Sequence, residues 1–291
     1  MFPRFSGYGN PYPLAMFRIL FYGGIALHFW PFVGSFGETF GRSSFRSPGW
    51  EPTWYDAQYD TGSLEVWSLC TIAYIGCASG LLGVKPRLAA MMSCAFYPLS
   101  SINSTYVQTL ALGMVWAILP VWAIWGGGDE VLALGCARRA DLCRLAPNST
   151  RATISSVVAV ALLMSGLSKL ASGWPFQSDD PLRLFTMPQG TLLRDWVSSV
   201  NPALSHPVSV AIGTSVVVLE VVVPSALLLV GRSKCWLVGS WLVLFGAIVA
   251  TLRIPPLFCF TYGAAGLLFI DDATYGWPFR RLGKLQREVL S

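Results

Sequence analysis

Few side chains able to carry charge or move a proton lie inside the apolar runs of this chain, and Lys169 is the most informative of them. It falls near the end of residues 153–174, TISSVVAVALLMSGLSKLASGW, a run long enough to cross a bilayer. An ionisable residue at membrane depth is costly to hold and is by default a functional candidate. Burial disfavours the ammonium form, and a lysine eased toward neutrality can act as a general base on a phenol-like or quinol-like ligand. A quieter reading is snorkelling, because the polar end at Ser172-Gly173-Trp174 is about one turn away. Glu220 stands between VVVL and VVVP with no nearby route to water. It requires a cation, a proton or a polar cavity. Should it lie beside Lys169, the two form an ion pair in place of a free base.

The remaining polar groups within or at the ends of the apolar runs are Arg18 and His28 in the first run, a cluster at Asn103-Ser104-Thr105-Tyr106 with Gln108, and Arg253 before Pro255-Pro256. Arg18 reads as a structural partner for an inner-face carboxylate or a lipid phosphate, and His28 as a hydrogen-bonded packing histidine. Asn103 and Tyr106 are candidate hydrogen-bond positioners for a ligand, Trp174 and Trp196 candidate pocket walls, and Glu220 a candidate ligand-binding residue. The seven cysteines form no CxxC and no disulfide framework, and they read as small packing residues. No metal site is expected.

These residues need a membrane bundle to position them. The chain has 291 residues, 54% hydrophobic and only 12% charged, about half the charge of an ordinary soluble domain. That excludes a soluble enzyme, and the net charge of +5 is not a nucleic-acid surface, because the basic residues sit in short connections between apolar runs. Eight apolar segments can be placed: about 14–36, 65–84, 88–101, 106–126, 153–173, 207–230, 236–252 and 257–271. The third is short, and a broken pass with a re-entrant element is its alternative. With the N-terminus in the cytoplasm, thirteen Lys and Arg fall in inner connections, among them Lys85, Arg87, Arg138, Arg139 and Arg151. Five fall outside: Arg42, Arg46, Arg183, Arg194 and Arg253. That bias favours eight passes with both termini inside. Two long outer loops, 37–64 and 174–205, are rich in aromatic residues and read as interfacial segments. The expected fold is an all-α integral membrane protein, a polytopic bundle of about eight transmembrane helices. It forms one domain over residues 1–291, with no soluble domain and no cleavable signal peptide.

Four stretches carry a family resemblance. They are Asn10-Pro11-Tyr12-Pro13-Leu14-Ala15-Met16-Phe17-Arg18-Ile19-Leu20-Phe21, Asn103-Ser104-Thr105-Tyr106, Asp129 after Gly126-Gly127-Gly128, and Ser165-Gly166-Leu167-Ser168-Lys169-Leu170-Ala171-Ser172-Gly173-Trp174. In order and spacing they resemble the horizontally transferred transmembrane (HTTM) domain family. That family includes the membrane part of vitamin K-dependent gamma-carboxylases and the B component of the sporulation-delaying protein system. The helices bearing Glu220 and Phe260-Thr261-Tyr262 fit more loosely. The resemblance implies that Lys169 occupies the place of the carboxylases' catalytic base, with Asp129 a structural polar residue.

The departures matter equally. Ser104 stands where the carboxylases have a histidine, and no histidine occurs in FGAIVATLRIPP. No large extracytoplasmic domain follows the last segment. Peptide gamma-carboxylation is therefore not expected. Three functions remain open: a membrane subunit binding a lipid or quinone-like ligand, a partner membrane protein, or both; a small lysine-based enzyme acting on a quinol-like or lipid substrate at the outer leaflet; and a maturation factor for a secreted peptide. A quinone or lipid is the expected ligand. Membrane lipids and a partner membrane protein or a second copy are the expected partners, nucleic acid is not, and a bacterial inner membrane is the expected location.

Overall fold

The structure, a computed structural model, describes residues 8–30, 33, 63–97, 110–128, 132–133, 146–174, 202–230, 235–251, 257 and 259–270. Asn103, Tyr106, Asp129, Trp196 and Arg253, and nearly all of both long loops, lie outside them.

Helix α1 is Tyr12–Phe29. It begins two residues before the expected apolar run, because Asn10 Oδ1 accepts the Tyr12 N–H at 3.0 Å and prolines are tolerated in a first helical turn. Helix α2 is Ser63–Leu82 and α3 is Pro86–Ser93. Eight residues of helix rise only about 12 Å, well short of a hydrocarbon core of about 30 Å. Helix α3 is thus too short to cross by itself. Helix α4 is Leu110–Trp125, α5 Asn148–Ala171, α6 Pro202–Val230 and α7 Cys235–Thr251. The expected last helix is irregular: a π-helical turn, Cys259–Gly263, leads through Ala264 and Ala265 to a 3-10 turn, Gly266–Phe269. Two strands of two residues, β1 (Tyr8–Gly9) and β2 (Ala146–Pro147), pair antiparallel just before α1 and α5.

Among the described residues, three helical stretches are long and apolar enough to cross a membrane: Tyr12–Phe29, Asn148–Ala171 and His206–Leu228. Their outward faces, and those of their neighbours, are greasy: Met164, Val160, Val218, Val222, Trp67 and Val243 are all exposed. Inside, aromatic rings fill the space around α1. Phe17 stacks on Trp122 at 5.7 Å, and Phe29 on Phe96 at 4.0 Å. Cys70 and Cys77 are buried in the same core.

The helix ends converge on the turn Gly126–Gly128, whose three glycines have φ of +68°, +91° and +90°, the left-handed region open mainly to glycine. The turn aims its carbonyls into the bundle. Gly126 O accepts from Thr150 Oγ1 at 2.8 Å, Gly127 O from Trp122 Nε1 at 3.0 Å, and Gly128 O from the Arg18 guanidinium. Arg18 also donates to Leu132 O at 2.6 Å and Leu81 O at 3.5 Å. Arg87 reaches Trp125 O at 3.3 Å. Arg151 donates to Leu268 O at 2.8 Å and to Ile270 O. The beginnings of α1, α3 and α5 therefore meet the ends of α2, α4 and the final 3-10 turn at one basal end. Arg18 was expected to meet a carboxylate or phosphate; here it is fully buried and its acceptors are main-chain carbonyls left open where helices end. A guanidinium, with five donors in a fixed fork, suits that task.

Candidate functional site

At the far end of α5 a charged pair joins two of the three membrane-length helices. Lys169 Nζ donates to Glu220 Oε1 and Oε2, both at 2.6 Å. Within α5, Arg151 belongs to the basal end, and at 1.5 Å per residue Lys169 lies about 27 Å further along, close to the thickness of a bilayer's hydrocarbon core. The pair thus sits at the end of α5 away from the basal arginines. Lys169 also stands 5.7 Å from the centre of the Trp174 ring, within cation–π range. Trp174 in turn is the type of residue that collects at membrane–water borders.

Local sequence explains why the pair closes. Gly166, one turn before Lys169, is where α5 and α6 touch. A Cβ there would come within 2.7 Å of Val221 Cγ2 and 3.0 Å of Glu220 Cβ. Only glycine lets the backbones approach closely enough for a short carboxylate stem to reach the ammonium, the small-residue packing common between helices in membranes. On α6, Pro224 lies four residues after Glu220, so the Glu220 carbonyl has no intrahelical N–H partner. Ser172 Oγ donates to Lys169 O at 2.9 Å and closes the end of α5.

Exposure divides the pair unequally. The Lys169 side chain is 31% exposed and that of Glu220 only 9%. Among the described residues, Glu220 is the hydrogen-bond partner of the ammonium, with both its oxygens at 2.6 Å. Behind Glu220 lies the π-helical turn. There Tyr262 is buried, accepts Trp241 Nε1 at its carbonyl (2.8 Å), stacks on Phe245 at 6.1 Å and lies within electrostatic reach of Glu220. Such turns interrupt α-helices most often at functional sites.

The structure therefore brings together Lys169, Glu220 and Trp174 of the expected site residues. Arg18 lies at the opposite end, in the basal clamp. His28 is on α1, its ring edge-on to Phe29 at 5.1 Å, and its buried Nε2 has no hydrogen-bond partner among the described residues, unlike the hydrogen-bonded histidine expected. Sequence reasoning passed over Gly166, Thr150 and the clamp role of Arg151. Small residues one turn before a buried lysine were the available signal for Gly166. Among the described residues no three His, Cys, Asp or Glu gather where a metal ion could be held. No family model, no curated protein and no solved structure matches the chain.

Proposed function

We propose that this chain is a multi-pass membrane protein whose bundle holds an amphiphile of the lipid or quinone-like class against the Lys169–Glu220 pair, and that it serves as a membrane subunit beside a partner protein. The observation that carries the ligand reading is the pair itself: a half-buried lysine held by a carboxylate beside a tryptophan ring, between two membrane-length helices. The resemblance to the HTTM family supports the same site, and a bacterial inner membrane is the location we propose. The basal end carries Arg18, Lys85, Arg87 and Arg151, so the positive-inside rule supports a cytoplasmic base and an outer-leaflet site. Both the first and the last described elements end at that base.

The general-base reading has less support. A lysine nitrogen engaged by both oxygens of a carboxylate must leave Glu220 before it can take a proton from a substrate.

The test is native mass spectrometry of the protein from its own membrane in mild detergent, with extraction of lipids and quinones, for the wild type and Lys169→Ala. A bound amphiphile that disappears in the variant supports the ligand site. A stoichiometric partner protein, with no ligand sensitive to Lys169, leaves the subunit reading and removes the ligand. A clean monomer or homodimer without ligand refutes both.

A further inference from the structure

We infer that Lys85 and Arg87, at the basal turn between α2 and α3, bind the head group of an anionic phospholipid. The inference rests on the membrane reading above, and on neither Lys169 nor its ligand. Both side chains are exposed, at the end of the bundle where Arg18 and Arg151 also gather. Those two arginines are taken up by main-chain carbonyls. Lys85 is not. It stands just ahead of Pro86 with φ +45°, and its ammonium has no hydrogen-bond or ion-pair partner among the described residues. Arg87 is anchored by its stem. A Cβ on Gly126 would lie 3.0 Å from Arg87 Nε and 3.1 Å from its Cγ, so the stem runs along that bare glycine, and Nη2 donates to Trp125 O at 3.3 Å. That contact engages one of the five guanidinium donors and holds the fork at the surface.

Charge and apolar exposure together select the occupant. Among the described residues, carboxylates are confined to Glu65, near the far end of α2, and Glu220, which is held by Lys169. The base therefore carries Arg18, Lys85, Arg87 and Arg151 with no described acid beside them. Any anion is drawn to such a place. The surroundings of the two exposed cations are apolar, however: Leu81, Leu82 and Val84 precede them, Leu88 and Met91 follow one turn apart on α3, and Ile124 and Trp125 end α4, all exposed. Long basic stems and a tryptophan beside open aliphatic side chains mark a membrane–water border. The α-carbons of Lys85 and Arg87 are at most about 7 Å apart, so both heads can close on one phosphate, arginine through paired N–H donors and lysine as a point charge. Leu88 and Met91 then give an acyl chain its track. A molecule anionic at one end and hydrocarbon at the other satisfies both halves of the patch, which a free anion does not.

The experiment is native mass spectrometry of the full chain in mild detergent. It is titrated in turn with dioleoyl phosphatidylglycerol (anionic), dioleoyl phosphatidylcholine (the same chains, no net charge) and inorganic phosphate. Wild type, Lys85→Gln, Arg87→Gln, the double variant and Lys169→Met are compared. The wild type should retain phosphatidylglycerol at least about tenfold better than phosphatidylcholine, as two basic residues at an anionic surface imply. Lys85→Gln and Arg87→Gln should each weaken phosphatidylglycerol about fivefold, the double variant should abolish the preference, and phosphatidylcholine should be unchanged throughout. Lys169→Met should match the wild type, which separates this site from the one at the other end of α5. Equal retention of the two lipids overturns the proposal, as does a preference that the double variant leaves intact. Inorganic phosphate that displaces phosphatidylglycerol at equal concentration assigns the cations to a free anion and overturns the lipid. Lys85→Gln removes no side-chain bond among the described residues, so it decides the matter even if Arg87→Gln fails to fold.

Discussion

Removing one member of the Lys169–Glu220 pair should cost far more than removing both. Lys169→Met leaves a carboxylate whose side chain is 9% exposed, with its nearest cation gone. Breaking a buried pair in this way costs about 3–5 kcal/mol. Glu220→Gln leaves a lysine whose side chain is 31% exposed, on a stem long enough to turn toward the polar end at Ser172, so the loss is smaller, about 1–2 kcal/mol, the size of a charged hydrogen bond. The double variant exposes neither charge, and replacing a whole buried pair by uncharged groups is close to neutral. The coupling between the two sites should then be about 4–7 kcal/mol, the sum of the two single losses and above the usual range for residues in contact.

The assay is reversible unfolding in mixed detergent micelles, followed by tryptophan fluorescence, for the four members of the cycle. Single-variant losses that add to the double-variant loss within about 0.5 kcal/mol would show that the two groups do not interact. Glu220→Gln proving the more damaging single change would refute the exposure argument.

Three further outcomes follow from the geometry. Arg18→Lys swaps a fork reaching the carbonyls of Gly128, Leu132 and Leu81 for a compact point charge, and should lower stability by about 2–4 kcal/mol in the same unfolding assay; a lysine variant as stable as wild type would contradict the clamp. Gly166→Val puts a branched side chain where even a Cβ would lie 2.7 Å from Val221, and should cost about 1–3 kcal/mol while weakening any Lys169-dependent ligand retention. In a background lacking the native cysteines, Lys85→Cys and Ser172→Cys should react with an impermeant maleimide from opposite sides of the membrane, and labelling from one side would refute the base-to-rim arrangement of α5.

Much of the scaffold was legible because burial in a membrane writes itself into long apolar runs. The expected segments 153–173 and 207–230 reappear within α5 and α6, since twenty-odd apolar residues admit few alternatives to a helix. The last segment, 257–271, reads as an ordinary apolar helix yet turns as π and then 3-10. Nothing in a hydropathy pattern distinguishes these. Local packing does, with Gly263 against Phe245 and Gly266 against Trp241. Arg18 was visible as a buried cation, but its partners were not. Carbonyls carry no residue-type signature, and it takes three left-handed glycines to turn them inward.

Glu220 was legible as a group in need of a cation, and Lys169 as one of few within reach of the same depth. Their 51-residue separation in the chain hid the contact, and the glycine that permits it looked like one small residue among several. The pair also bears on why charge stands there at all. Helices α5 and α6 already meet along a long apolar face, and an uncharged pair at 169 and 220 would hold them about as well, since buried ion pairs contribute little net stability. Stability by itself therefore gives no reason for a charged pair beside a tryptophan at the end of α5, whereas the proposed ligand site would give one.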